Sequence, residues 1–91
     1  MFIARVFDAK GWTAEQYDEL IQRMNLEGHS APGVLFNWAA ETSEGIRVVD
    51  VYKDRETADQ LAQEKIGPII MQLGLPMPEI SEFAVHSILQ P

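Results

Sequence analysis

Residues 33–54 read GVLFNWAAETSEGIRVVDVYKD, two apolar arms joined by a short polar turn. Val34, Leu35, Phe36, Trp38 and Ala39 fill the first arm, and Ile46, Val48, Val49, Val51 and Tyr52 fill the second. β-Branched and aromatic residues at this density favour strands, and Thr42-Ser43-Glu44-Gly45 suits a type I turn with glycine taking the positive φ. The stretch therefore predicts a β-hairpin. Apolar residues occupy both parities of each arm, so neither face is suited to water. An even register sum places Phe36, Trp38, Val48, Asp50 and Tyr52 on one face and Leu35, Asn37, Arg47, Val49 and Val51 on the other; an odd sum regroups them. The even register is our expectation.

Working outward from the hairpin, Phe2 to Phe7 alternate as a first strand whose one awkward residue is Arg5. Thr13 with Gln16 three residues later has capping-box spacing, and Glu15 sits near the positive end of the dipole. A helix follows, with Tyr17, Leu20, Ile21 and Met24 as its apolar stripe. Asn25 to Gly33, rich in glycine, proline and small polar residues, reads as a loop carrying a solvated His29. Beyond the hairpin, Asp54 can cap a second helix whose stripe runs through Ala58, Leu61, Ala62 and Ile66 to Ile69, Ile70 and Leu73. Gly67-Pro68 predicts a break or kink, because proline cannot donate to the carbonyl four residues back. After GLPMP, residues Ile80 to Leu89 read as the last strand, with Ala84, His86 and Ile88 on one side.

The order β-α-β-β-α-β is the α+β, ferredoxin-like arrangement: a four-stranded antiparallel sheet with both helices on one face. Its other face would expose more apolar surface than a monomer ordinarily tolerates. A second copy covering that helix-free face is the expected solution, giving a homodimer.

The chain is 91 residues long, which fits one domain over residues 1–91 with a single two-layer core. Seven basic side chains (Arg5, Lys10, Arg23, Arg47, Lys53, Arg55 and Lys65) against fourteen acidic ones leave a formal charge of −7. The basic groups are dispersed, so no concentrated surface for nucleic acid is present. There is no cysteine, which removes disulfides, thiolate nucleophiles and zinc–thiolate sites. The start MFIARVFD lacks a signal-peptide pattern or membrane span, and we read the chain as cytoplasmic and not membrane-bound.

The hairpin GVLFNWAA…GIRVVDVYKDRETAD, EKIGPII in the second helix and AVHSIL in the last strand resemble the dimeric α/β-barrel superfamily. More narrowly, the chain is similar to its antibiotic-biosynthesis-monooxygenase-like small proteins. The resemblance spans nearly the whole length and implies sheet-to-sheet dimers. Such proteins include cofactor-independent oxygenases, haem-degrading enzymes and isomerases. Haem-degrading relatives carry a histidine on the second helix where this chain has Leu61, and many small relatives have a strand-two histidine where it has Asn37. The resemblance thus implies no haem and no other cofactor.

Asp50 stands between Val49 and Val51, where an unpaired carboxylate is costly. It is either a base with a raised pKa or an anion paired with Arg5 or Arg47. His86 is either a second candidate base or a satisfied core histidine. Trp38 and Tyr52 would flank an aromatic ligand or fill the core, and Asn37 would bind a ligand carbonyl or cap a backbone group. His29 and His86 have no companions at metal-ligand spacing, so no metal is expected. The resemblance implies a cofactor-independent monooxygenase acting on an electron-rich aromatic or enolisable small molecule, with Asp50 or His86 as its base. The alternative is a non-catalytic dimer that binds a small apolar molecule or serves assembly.

Overall fold

A computed structural model of the chain describes residues 1–26, 28, 29 and 31–89. In chain order the elements are β1 (Ile3–Lys10), α1 (Ala14–Met24), β2 (Val34–Glu41), β3 (Gly45–Tyr52), α2 (Arg55–Leu61), a π-helical turn (Ala62–Ile66), α3 (Gly67–Leu73) and β4 (Glu79–Ala84). The sheet order is β2-β3-β1-β4, and every neighbouring pair is antiparallel. This is the expected ferredoxin-like βαββαβ fold. Among the described residues no helix is long and apolar enough to cross a membrane.

Local chemistry starts each helix as the spacing predicts. Thr13 accepts from the Gln16 backbone N–H while the Gln16 side chain accepts from the Thr13 N–H, and Asp54 accepts from Thr57. Both helical layers lie on one face of the sheet. Leu20 of α1 and Ile69 and Ile70 of α3 pack with Phe7, Ile46 and Val48, while Ala58 of α2 packs with Ile3, Val34 and Tyr52.

The hairpin register is odd, not even. Phe36 pairs with Val51, Asn37 with Asp50 and Trp38 with Val49, whereas Val34 pairs with Tyr52, so Leu35 is the extra residue of a bulge. At the tip the four residues Thr42 to Gly45 close the loop between the paired Glu41 and Ile46, with Thr42 N–H donating to the Gly45 carbonyl at 2.8 Å. A side chain at position 45 would collide with the Ala9 carbonyl, which makes glycine obligatory there. The odd sum exchanges the partners of Asp50: Asn37 joins its face, and Phe36 and Trp38 leave it.

Two boundaries also differ from expectation. β1 runs on to Lys10 because its pairing with β3 continues as far as Gly45. β4 ends at Ala84, opposite Ile3 where β1 begins; one further bond follows, from the Val85 N–H to the Phe2 carbonyl at 3.0 Å, and His86 is exposed past it. At Gly67-Pro68 the second helix is interrupted as expected, and the interruption takes the form of a π turn with Pro68 in the first turn of α3. Its backbone stays right-handed through Leu61, Ile66 and Gly67, and a π turn absorbs the missing donor, with Gly67 N–H reaching the Ala62 carbonyl.

The helix-free face carries the rows Phe36, Val51, Ala4, Phe83 and Trp38, Val49, Val6, Ser81 across all four strands. Phe36, Trp38 and Phe83 are 40%, 50% and 56% exposed on it.

Candidate functional site

Strand pairing lines up Asn37, Asp50, Arg5 and Glu82 in one row under the helices. The adjoining helix-side rows are apolar: Val34, Tyr52 and Ile3 on one side, Ala39, Val48 and Phe7 on the other. The row therefore forms a polar seam between two apolar clusters, one holding Phe7 and Val48 and the other Ile3, Val34 and Tyr52.

The seam divides into two halves with different chemistry. In one half Arg5 bonds to Asp59 of α2 at 2.6 Å and to Glu82 at 2.9 Å, and Arg55 joins Glu82 at 2.7 Å. Arg47 pairs with Asp8 at 2.6 Å. Neither arginine serves Asp50, although Arg5 is its register partner; each is satisfied by another carboxylate. Asp50 instead accepts from the Asn37 side-chain amide at Oδ1 and from the Tyr52 hydroxyl at Oδ2, the latter at 2.7 Å.

Asp50 is 5% exposed and Tyr52 is fully buried. Burial pushes the Asp50 carboxyl above its ordinary value, and the bonds from Tyr52 and Asn37 pull the other way without cancelling it. Tyr52 is pushed far up, by burial first and by the charge of Asp50 second, so its hydroxyl keeps its proton and stays a donor. Tyr17, on α1, completes the group. It is hydrogen-bonded to Asn37, and burial, followed by the Asp50 charge, raises its phenol.

Above this half of the seam lies a cavity of about 570 Å3. Asp50, Asn37 and Tyr17 form its polar wall, and Phe7, Val48, Leu20, Met24 and Ile70 are among its apolar lining. Exposed Asp18, Gly28, His29 and Leu35 stand at its mouth. The volume suits a drug-sized ligand, and a few convergent polar groups in an apolar cavity are the usual form of a small-molecule site.

Of the residues singled out from the sequence, Asp50 and Asn37 meet in this cavity and Tyr52 supports Asp50 from behind. Trp38 lies on the opposite face of the sheet, separated from Tyr52 by the odd register, and His86 is exposed outside the cavity. Tyr17 and His29 were legible only as a core stripe and a solvated loop. Tyr17 is nonetheless the one polar-tipped member of a stripe otherwise made of Leu20, Ile21 and Met24, and that hydroxyl was the signal available.

No family model matches the chain and no curated protein matches its sequence. Solved structures do. A candidate antibiotic biosynthesis monooxygenase from Chloroflexus aurantiacus superposes with a TM-score of 0.68 at 18% identity, covering 99% of this chain and 98% of that one. A protein of unknown function from Nitrosomonas europaea gives 0.69 at 19% identity over 99% and 92%. SnoaB, a cofactor-independent oxygenase from Streptomyces nogalater solved as a mutant, gives 0.62 at 19% identity over 99% and 96%. At such identities the likeness is one of architecture: the chain has the ferredoxin-like fold of the antibiotic-biosynthesis-monooxygenase-like proteins.

Proposed function

We propose that the chain binds an electron-rich aromatic or enolisable small molecule in the cavity beside Asp50 and oxidises it with O2 without a cofactor. The observation that carries this reading is the placement of Asp50: a carboxyl raised by burial, uncompensated by any arginine, and open to a ligand-sized cavity. Two structural neighbours, a candidate antibiotic biosynthesis monooxygenase and a cofactor-independent oxygenase, agree with it.

In this scheme Asp50 takes a proton from an activated ring carbon, and negative charge moves from the carboxylate to the substrate. The carbanion passes an electron to O2, and the radical pair joins as a peroxide. Asp50 returns its proton to the peroxide, which loses water to leave a carbonyl, so that CH2 and O2 become C=O and H2O. Asn37 orients the oxygen on which the anion is shared, Tyr52 holds Asp50 in place, and the apolar lining keeps water away.

The working form in this proposal is a homodimer in which the second copy covers Phe36, Trp38 and Phe83, the exposed aromatic residues of the helix-free face. The test is oxygen uptake by the full chain with anthrone, a tricyclic enolisable ketone, beside Asp50→Asn. Uptake by wild type that the variant lacks supports the scheme. Binding of anthrone with no uptake would favour the second reading, a non-catalytic binding dimer.

A further inference from the structure

We propose that the cavity accepts uncharged, hydroxyl-bearing ring molecules and rejects their carboxylated counterparts. This rests on the cavity being the ligand site, and it goes further by stating which charge that ligand carries.

None of the seven basic residues lines the cavity. Arg5, Lys10, Arg23, Arg47 and Arg55 are each paired with a carboxylate elsewhere. The ionisable groups among the described lining residues, apart from the Tyr17 phenol, are Asp18, His29 and Asp50. The indole N–H of Trp12 is spent on the Pro76 carbonyl at 2.8 Å. A ligand carboxylate entering this space would lose its water shell against apolar walls and meet no lysine or arginine.

The hydrogen-bond inventory favours the opposite partner. Asn37 and Tyr52 each donate one bond to Asp50, leaving further lone pairs on both carboxyl oxygens. The wall therefore presents acceptors that are already held in place by donors behind them, and a ligand hydroxyl can donate to them directly. Both the charge and the direction of the hydrogen bonds point to a neutral donor.

The test compares methyl 6-hydroxy-2-naphthoate with 6-hydroxy-2-naphthoate, which share ring and hydroxyl and differ in one charge. Titration calorimetry near neutral pH on the full chain should give the ester at least about tenfold tighter binding than the acid. Asp18→Lys, which places a cation at the mouth on an exposed helix position, should narrow that gap. Equal affinities, or a gap that Asp18→Lys leaves intact, overturn the inference while the cavity remains a ligand site. Failure of both ligands to bind overturns the cavity reading together with the inference.

Discussion

Tyr52 donates its buried hydroxyl to Asp50 at 2.7 Å, two residues earlier on the same face of β3. The bond joins two strand positions whose alternation put them on one side regardless of hairpin register. It also explains how a carboxyl can sit in an apolar strand with no arginine beside it: the donors are neutral, and they orient the carboxyl without supplying a counter-charge. Tyr52→Phe keeps the ring and removes the donor. We expect it to destabilise the chain by about 1–3 kcal/mol, the range for a buried polar group losing a charged hydrogen bond. Urea unfolding of the two proteins measures this, and a difference near zero would show that the hydroxyl contributes nothing.

Trp38 provides the second prediction. On the helix-free face it lies beside Val49, in the row next to Phe36 and Phe83. If a second copy covers this face with about 800 Å2 per subunit, a lysine in place of Trp38 loses its hydration on association. Trp38→Lys should therefore sediment as a folded monomer at concentrations where wild type is a dimer. A wild-type monomer at micromolar concentration would remove the proposed assembly.

Element order, both capping signals and the doubly apolar hairpin arms were legible in the sequence, because each is written in neighbouring residues. What was not legible is the odd register, and the reason is the tip: the four-residue loop from Thr42 to Gly45 pairs Glu41 with Ile46, and that pairing sets the parity of every position back to Phe36. The turn residues do not by themselves state the loop length, yet it moves Phe36 and Trp38 to one face and brings Asn37 beside Asp50, while the bulge at Leu35 returns only Val34 to the row of Tyr52. The choice of ion-pair partners was hidden for a related reason. Arg5 is opposite Asp50 in the ladder, but its guanidinium reaches Asp59 on α2, a contact between elements far apart in sequence. Asp50 was conspicuous as a charge among valines. Tyr17 was not, since its spacing is that of an ordinary core stripe.

Pro68 tests how the second helix is pinned. Ala58 before the π turn and Ile70 after it are both buried, so each half must keep its own face toward the sheet. The π turn supplies the extra residue between them. Pro68→Ala restores a backbone donor but cannot remove that residue without rotating one half out of the core. The expected outcome is a variant within about 1 kcal/mol of wild type in denaturant unfolding, well below the cost of a disrupted core. A loss of more than about 2 kcal/mol would mean that the proline ring itself packs in a way essential to the fold.

The last prediction concerns Asp50 and pH. Its carboxyl is raised above the ordinary value of 3.8 by burial in the folded chain. The folded state therefore keeps this proton over a pH range in which the unfolded chain has released it. The resulting stability is fully present below the ordinary value and is lost as pH rises through the raised one. Asp54 and Glu82 are shifted the opposite way by their hydrogen bonds and charges, so their contributions fade as pH falls through their lowered values. Asp50→Asn leaves those two groups in place. The difference in unfolding free energy between variant and wild type should thus isolate Asp50, moving in the variant's favour as pH rises from about 3.8 toward neutrality. Near pH 7 the variant should be as stable as wild type or more so, because Arg5 and Arg47 hold other partners and no cation is stranded. Oxygen uptake should be abolished in the same sample. Denaturant titrations of both proteins across that window, read beside uptake, decide the matter: a variant weaker by more than about 1 kcal/mol at neutral pH would make the carboxylate a structural anion and remove it as the base.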